Sequence, residues 1–375
     1  MNRLVLIGNG FDLAHGLKTR YEDFINWYWE NWGVRLLHGM NRTETDSLCT
    51  FKINDGIEVS NWAYAFGWYY QRKNPLIPWD PNVVIQIAKK DSKFCNFTMT
   101  PFLERITKSI ETKGWVDIEN EYYSLLFQEK MDIKKGFIEP DYKSINNQLD
   151  ILREELIQYL KQLENIKIHF IEEIEEKIYR PIKERELAVS YKRRGSERSK
   201  EELNPARVML LNFNYTKTPT LYTQKHSHVS INYIHGCLDS PESVIFGYGD
   251  ELDDGFKKLK DRNNNECLRH MKSIRYLESA NYRKMLEFIE STPFQVCIMG
   301  HSCGNSDRTL LNTLFEHKNC VSIKPYYYKW GEGEKDDNYI ELVQNISRNF
   351  KDMKLMRDRV VNKTYCEPLT NRNNN

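Results

Sequence analysis

The first sixteen residues constrain the fold most, because they give the pattern of a strand, a glycine turn and the start of a helix. The apolar run at residues 4–7 stops at Gly8-Asn9-Gly10, and a hydrophobically patterned, helix-compatible stretch follows as far as Trp29. This order of elements opens a doubly wound α/β domain. Glycines in such a turn let the backbone approach a phosphate, and the helix behind them presents free N–H groups. The third glycine of a full G-x-G-x-x-G fingerprint is absent, since Leu13 stands there.

Length and composition exclude several classes of protein. The chain has 375 residues, enough for one large domain or for a core with an insertion. Its 54 basic and 53 acidic residues balance, which argues against bulk nucleic-acid binding. No apolar run approaches the ~20 residues that span a bilayer, and the N-terminus lacks a signal-peptide pattern. We therefore expect a cytoplasmic protein, not bound to a membrane, whose eight cysteines are reduced.

Apolar periodicity divides the chain into three parts. Residues 1–30 give the first strand and helix. Residues 31–205 contain almost no convincing strand, and apolar side chains at three- and four-residue spacing over 145–163 indicate one face of a long helix. A charged helical stretch at 171–186 is kinked or divided at Pro181. Short apolar runs, typical of strands buried on both faces, then occur at 208–213, 231–234, 244–246, 294–299 and 320–323, with helical stretches at 282–290 and 307–316.

These patterns predict an α/β fold, Rossmann-like, with a mostly parallel sheet and a large helical insertion. The sheet would be built from the first strand and the C-terminal half of the chain. The predicted nucleotide-binding core therefore comprises residues 1–30 and 206–370, and residues 31–205 form the helical insertion or cap. The polar stretch at 191–200 is interpreted as a mobile loop, with a nucleic-acid contact as the alternative.

Polar residues follow three of the predicted strands at the point where each strand ends. They are Asn214, His235, Gly300, His301 and Ser302. Ligands of open parallel sheets bind at the carboxyl ends of the strands. We therefore expect these residues to lie close together around one pocket, which is a stronger signal than any one motif.

The residue types suggest chemical roles, each with a structural alternative. Asn214 can orient a sugar or a water, or it is a turn residue. His235 can act as a general base toward a ribose hydroxyl near neutral pH, or it closes a strand end. Ser302 and the helix start at Asp307 can hold a phosphate or ribose, and Asp307 is at least a helix N-cap.

Other polar positions are open to more than one interpretation. Asp12 caps the first helix or binds a ribose, and His15 is exposed, partnered or in contact with ligand. Asp117, Glu119 and Glu121 form a run of carboxylates, in which Asp117 and Glu121 repel one another at i,i+4. Simple exposure, a metal or a basic partner would relieve that repulsion. Glu119 lies on another helix face and could reach over the sheet edge.

Several short motifs occur in order along the chain: LVLIGNGFDLAHG at 4–16, YEDF at 21–24, WVDIE at 115–119, NFNYT at 212–216, YIHG at 233–236, and GHS at 300–302 followed by SD at 306–307. Together they resemble the AbiH family, which is associated with bacterial abortive infection. The resemblance covers essentially the whole chain. It implies a role in phage defence and a phage-derived trigger or partner protein. The oligomeric state stays open, a homo-oligomer included.

A more distant similarity runs to sirtuin-like NAD-consuming domains, through Gly8, Gly10, Asn214, His235 and Ser302. In those domains the Asn and the His support cleavage of the nicotinamide–ribose bond. The similarity implies NAD or a related nucleotide as ligand or substrate, and an activity like that of an NAD glycohydrolase. No four-cysteine zinc module is present in the sequence, so a protein deacetylase is not expected, and no metal cofactor is expected.

The predicted site has a catalytic and a cofactor-binding part. The catalytic residues are Asn214, His235 and Glu119. Either Glu119 or Asp12 would stabilise the positive charge that develops on the sugar. The cofactor-binding residues are Gly8, Asn9, Gly10, Phe11, Asp12, Gly300, His301, Ser302 and Asp307. Two other functions stay open: a nucleotide sensor without turnover that signals to a partner, and a metal-dependent effector that acts on nucleic acid.

Overall fold

A computed structural model describes residues 1–38, 41–56, 80–90, 92–128, 130–132, 136–192, 203–331, 333 and 336–371. The chain divides into two compact units. The sheet unit consists of residues 1–19 and 160–375, and the helical unit consists of residues 20–159. Residues 160–192 and 203–205, which were predicted as part of the insertion, belong to the sheet unit. The predicted division into folding domains stays a prediction.

The described residues form strands and α-helices, numbered here in chain order. The strands are β1 (Asn2–Ile7), β2 (Thr43–Thr45), β3 (Cys49–Ile53), β4 (Cys95–Met99), β5 (Lys130–Asp132), β6 (Gly136–Ile138), β7 (Val208–Asn212), β8 (Val229–Tyr233), β9 (Phe294–Met299) and β10 (Cys320–Tyr326). The α-helices are α1 (Asn9–Ala14), α2 (Tyr21–His38), α3 (Pro81–Lys90), α4 (Pro101–Lys113), α5 (Ile118–Leu125), α6 (Tyr142–Leu163), α7 (Glu172–Tyr179), α8 (Val189–Lys192), α9 (Asp254–Asp261), α10 (Lys272–Arg275), α11 (Asn281–Ser291), α12 (Arg308–Phe315), α13 (Tyr339–Arg348) and α14 (Met353–Arg359).

The sheet unit is built on five parallel strands in the order β10-β9-β1-β7-β8. The chain adds β7 and β8 on one side of β1, and then adds β9 and β10 on the other side. The winding therefore reverses between β1 and β9, and this switch point is where open α/β sheets bind ligands. The predicted Rossmann-like α/β fold with a parallel sheet is confirmed.

Alternate side chains of β1 enter two apolar cores, one on each face of the sheet. Leu4 and Leu6 pack in the core that includes α11 and α12. Val5 and Ile7 pack in the core that includes α7. All six residues of β1 are buried, as expected for a central strand covered on both faces. The helix α7 stops at Tyr179, two residues before Pro181, which confirms the predicted interruption.

Buried charges near the starting end of the sheet are paired. The ammonium of Lys324 on β10 lies 2.7 Å from the Glu186 carboxylate, and both side chains are almost fully buried. Gln295 on β9 donates to the other Glu186 oxygen and accepts from Arg3 on β1. Buried ions persist in proteins only when they are paired and hydrogen-bonded in this way.

One predicted strand of the sheet unit is wrong. The apolar run at 244–246 is buried, but it follows a short 3-10 turn at Pro241–Ser243 and is not part of the sheet. Its backbone instead bonds the loop after β8, where Ile245 N–H donates to the His235 carbonyl. Three apolar residues can be buried by a loop as well as by a strand, and length alone did not distinguish the two.

The helical unit contains strands that the periodicity did not predict. The antiparallel sheet β2-β3-β4 and the pair β5-β6 lie within the segment that was predicted to be almost free of strands. The signal was present but short: β3 alternates buried and less buried residues over only five positions. The predicted long helix is confirmed as α6, with Leu149, Leu152 and Leu156 buried along one stripe.

Two further properties concern the whole described chain. No helix among the described residues is long and apolar enough to cross a membrane. All eight cysteines are free thiols, and six of them are buried.

We expect Leu156→Asp to destabilise the protein by roughly 2–5 kcal/mol, because a buried leucine is lost from the stripe of α6 and a carboxylate takes its place. Chemical denaturation followed by circular dichroism measures the change in the free energy of unfolding. Gln158→Asp introduces the same residue at an exposed position of the same helix and is the matched control. Equal free energies of unfolding of the two variants would show that burial of Leu156 does not contribute to the stability of the protein.

Candidate functional site

The turns that follow β1 and β9 are in backbone contact at the switch point. The N–H of Gly10 donates to the Gly300 carbonyl at 2.8 Å. A Cβ atom on Gly300, whose φ is +78°, would lie 2.1 Å from the Phe11 nitrogen. A Cβ atom on Gly8 would lie 2.5 Å from the Cα of His301. Glycine is therefore required in both turns so that one backbone can pack on the other.

The N–H groups of the first turn are used inside the chain. Gly8 donates to the carbonyl of Met299, Gly10 to that of Gly300, and Phe11 to that of Gly8. The glycine turn was expected to approach a phosphate, with free N–H groups at the start of the helix behind it. The structure gives the glycines a packing role, and contact with a nucleotide stays a prediction for these residues.

The other residues around this turn have mainly structural contacts. Asn9 is exposed and accepts a hydrogen bond from the Thr19 hydroxyl. The ring of Phe11 is fully buried in the core on the β1 face that packs against α7. His15 bonds the Phe11 carbonyl through Nδ1 and the Tyr222 hydroxyl through Nε2, at 2.7 and 2.6 Å. Both nitrogens of His15 are thus engaged within the sheet unit.

Asp12 forms a buried polar cluster with the loop after β7. Its Oδ2 accepts from the Thr216 hydroxyl at 2.7 Å, and the polar side chains of Thr218 and Asn214 are near enough to favour the ionised carboxylate. Its Oδ1 is sealed from solvent and has no hydrogen-bond partner among the described residues. Burial raises the pKa of Asp12 to about 6, although these three side chains oppose the shift.

Asn214 and Phe213 connect the end of β7 to both turns. The side-chain Nδ2 of Asn214 donates to the Gly8 carbonyl at 3.0 Å. The ring of Phe213 stands edge-on between two histidines, with ring centroids 5.2 Å from His235 and 4.1 Å from His301. Residues from the ends of β1, β7, β8 and β9 therefore meet at one edge of the sheet.

Asp307 is the centre of a buried charged cluster at this edge. Its Oδ1 lies 2.8 Å from the Lys272 ammonium and 3.3 Å from Nε2 of His235. Its Oδ2 lies 3.5 Å from Nε2 of His301. All four residues are at least nine-tenths buried. Asp307 occupies the N-cap position of α12, as predicted, but its carboxylate accepts no hydrogen bond from a helix N–H and is engaged by these three side chains instead.

Charge partners fix the ionisation of this cluster. Burial by itself would raise the pKa of Asp307, but Lys272 and His235 hold that pKa well below its ordinary value. Burial lowers the pKa of His235, and the charge of Lys272 lowers it further, against the attraction of Asp307. At neutral pH the cluster therefore contains an ionised carboxylate beside a neutral imidazole.

A hydrogen bond assigns the proton of His301, and the nearby charge of Asp307 favours one neutral form of His235. Nδ1 of His301 accepts the Cys303 N–H at 2.9 Å, so its proton is on Nε2, facing Asp307. Nε2 of His235 faces the Asp307 carboxylate and lies 3.1 Å from the Tyr276 hydroxyl. A carboxylate at this distance favours a proton on Nε2. The hydrogen bond to Tyr276 and the close contact with Asp307 both involve Nε2 of His235, so Nδ1 is the ring nitrogen that can accept a proton from a substrate.

A strained residue holds His301 in place. Cys303 is a buried non-glycine residue with φ +56°, and the Asn349 side chain bonds its carbonyl at 2.9 Å. Burial raises the pKa of its thiol well above the ordinary value, so Cys303 is not a nucleophile at neutral pH. The preceding Ser302 is exposed, and Asn345 bonds its carbonyl at 3.0 Å. Strain of this kind is typical of functional sites.

Glu119, the third predicted catalytic residue, lies in the helical unit on α5, whereas the other predicted site residues lie in the sheet unit. It is buried in the first turn of that helix. Its carboxylate neighbours have structural partners: Asp117 caps the helix through the Asn120 N–H, and Glu121 lies 3.7 Å from Arg105. The capping bond and the basic partner resolve the repulsion noted in the sequence.

Lys272 and Tyr276 are site residues that the sequence did not reveal. Both belong to the short helical segment 272–278, remote in sequence from Asp307, and neither lies in a recognisable motif. Among the described residues no three His, Cys, Asp or Glu side chains are arranged to bind a metal ion. The predicted polar loop at 191–200 lies outside the described residues beyond Lys192.

The comparison with protein families gives one match. The family model described as bacteriophage abortive infection AbiH matches residues 4–328. This range runs from the first strand of the parallel sheet through the last and includes the Asp12 and Asp307 clusters. The comparisons with curated proteins and with solved structures give no match.

We expect Gly300→Ala to destabilise the protein by at least about 2 kcal/mol, because the left-handed backbone and the contact with Phe11 both oppose a side chain. Thermal unfolding measures the loss. Gly304→Ala is the control in the same loop: its φ is −69°, and its Cβ would lie no closer than 3.6 Å to a neighbour. If both variants melt at the same temperature, the two turns do not depend on glycine.

We expect the free energy of unfolding of Asp12→Asn, relative to that of the wild type, to be higher at pH 7 than at pH 4. The folded-state pKa of Asp12 is raised from 3.8 to about 6, so its favourable contribution is complete below about pH 4 and disappears as the pH rises through 6. Across that range the wild type loses about 3 kcal/mol that the variant keeps. Denaturation of both proteins at pH 4 and pH 7 measures this difference.

The control for Asp12 is Asp352, a carboxyl group whose pKa is shifted in the opposite direction. Hydrogen bonds from the backbone N–H groups of Leu355 and Lys354 lower the pKa of Asp352. Its favourable contribution is present above its ordinary pKa and disappears as the pH falls. The free energy of unfolding of Asp352→Asn, relative to that of the wild type, should therefore be lower at pH 7 than at low pH. The same pH dependence in both variants would contradict the assignment for Asp12.

Proposed function

We propose that this chain, which belongs to the bacteriophage abortive infection family AbiH, is a hydrolase that cleaves the N-glycosidic bond of NAD or a related nucleotide. The observation that carries the proposal is the buried pair of Asp307 and His235 at the carboxyl edge of the sheet. A neutral histidine that has a carboxylate on one nitrogen and a free lone pair on the other has the arrangement of a general base. The chemistry would take place in the cytoplasm, where the nucleotide is available.

His235 would activate the attacking water. Its Nδ1 takes a proton from the water while the water oxygen bonds to the C1′ atom of the ribose. The bond between C1′ and the nicotinamide nitrogen breaks, and its electron pair leaves with neutral nicotinamide. The products are ADP-ribose, nicotinamide and a proton, which His235 returns to solvent. Asp307 stabilises the imidazolium that forms transiently.

Asn214 is the second residue that would contact the nucleotide at this edge. Its Nδ2 is engaged by the Gly8 carbonyl, so its carbonyl oxygen is the group that can orient the ribose or the water. Its position beside Phe213, which contacts the ring of His235, places it within the same edge.

Two residues provide the test of this reaction. His235→Ala should lower the release of nicotinamide roughly 10²–10⁴-fold, because the general base is lost, and Asn214→Ala should lower it in the same direction. Purified protein is incubated with NAD, with and without lysate of phage-infected cells, and free nicotinamide is measured. His317→Ala is the control: this histidine bonds Glu290 and contacts Phe294 at the opposite end of β9.

Each alternative gives a different result in the same assay. Nucleotide binding without nicotinamide release would favour a sensor that signals to a partner. Degradation of nucleic acid that requires a divalent metal would favour the metal-dependent effector that acts on nucleic acid. Turnover and phage protection that both survive the double variant His235→Ala/Asn214→Ala would overturn the proposal.

A further inference from the structure

We infer that Lys272 is a positioning residue that sets the protonation of His235. By keeping Asp307 ionised, it holds the single proton of the neutral imidazole on Nε2 and leaves Nδ1 as the base. The inference rests on the proposed function for the reaction that His235 serves. The arrangement of protons itself does not depend on the substrate, so it can be tested separately.

The position of Lys272 is fixed by its surroundings. The residue is 1% exposed, and its ammonium group is 2.8 Å from Asp307 Oδ1. Its backbone N–H donates to the Tyr248 carbonyl at 2.9 Å. A Cβ atom on Gly249 would lie 3.1 Å from the Cβ of Lys272, so the absence of a side chain at Gly249 leaves room for the lysine stem. A buried ammonium in such a fixed place persists because a carboxylate compensates it.

The charge of Asp307 decides between the two neutral forms of His235. An ionised carboxylate at 3.3 Å only accepts hydrogen bonds, so the imidazole must present Nε2–H to it. A protonated carboxyl could donate to Nε2 instead, and the imidazole proton would then move to Nδ1. In that second form no lone pair remains on the side that faces away from Asp307, and His235 could not accept a proton from water there.

The other groups around His235 do not make this choice. The Tyr276 hydroxyl at 3.1 Å is neutral and can donate or accept. His301 is held with its own proton toward Asp307 by the Cys303 N–H, and Phe213 provides only a ring edge. Among the described residues Lys272 is the fixed cation within ion-pair distance of Asp307. The protonation of the cluster therefore depends on this lysine.

The test is a titration of the His235 ring followed by ¹⁵N NMR in the full-length protein, with His235→Gln used to assign the resonances. In the wild type we expect a neutral ring at pH 7 with the proton on Nε2. In Lys272→Met the pKa of His235 should rise by roughly 1–3 pH units, because a like charge is lost and Asp307 is left without its cation. Lys272→Arg keeps a positive charge and should keep both the wild-type tautomer and the wild-type titration.

A matched control separates this effect from the general loss of a buried ion pair. Lys324→Met removes the lysine of the other buried pair, which bonds Glu186 at 2.7 Å in the same unit. It should lower stability without changing the titration of His235. If Lys272→Met does not fold, Lys272→Met/Asp307→Asn removes both charges, and His235 should then lose its preference for the proton on Nε2.

The outcomes distinguish this inference from the proposed function. A wild-type proton on Nδ1, an unchanged titration in Lys272→Met, or an Nε2 preference that persists in the double variant overturns the role of Lys272. Nicotinamide release is measured separately: when it is absent while the titration behaves as expected, the proposed substrate is wrong and the role of Lys272 stands. When release is present, Lys272→Met should lower it about tenfold at pH 7 for each pH unit by which the pKa of His235 exceeds 7.

Discussion

The close packing of the turn after β1 on the turn after β9 is the contact on which the rest of the site depends. Gly10 and Gly300 share a backbone hydrogen bond, and neither turn has room for a Cβ atom at the crossing. This contact fixes where β9 ends, and so where His301 begins its path toward Asp307. In a doubly wound sheet the two turns would otherwise diverge to leave a crevice. Here they meet, and the polar groups are displaced to either side of the crossing.

The buried carboxylate of Asp307 determines the electrostatics on one of those sides. Removing two charges from water is costly, and a pair such as Lys272 and Asp307 is weak evidence for stability. Such a pair is better explained by the order it imposes: it favours a proton on Nε2 of His235, the same arrangement that the Cys303 N–H gives to His301. The strained backbone of Cys303 supports this order, since its N–H fixes the ring of His301.

Local sequence predicted the elements whose signals are local, and missed those that depend on distant contacts. The apolar runs of β1, β7, β8, β9 and β10 indicated the parallel sheet, because strands buried on both faces have continuous apolar sequences. The strands β2–β6 have only three to five residues each, so the alternation of apolar and polar residues along them was too short to recognise. Asp307 looked like a helix cap because its sequence neighbours favour one. Its real partners, Lys272 and His235, come from other parts of the chain, and nothing in the stretch around Lys272 marks it as a site residue.

The edge of the sheet contains two buried aspartates whose environments drive their ionisation in opposite directions. Neutral hydroxyl and amide donors surround Asp12, so burial dominates and raises its pKa to about 6. A cation and two imidazoles surround Asp307, so its pKa is lowered. A change of pH between 5 and 7 therefore titrates Asp12 while Asp307 keeps its charge. Asn214, which helps to lower the pKa of Asp12, donates to the Gly8 carbonyl, so the proton on Asp12 is nearer to the contact between the two turns than to the His235 cluster. Pairs of titratable groups separated in this way identify which one exchanges protons and which one holds a fixed charge.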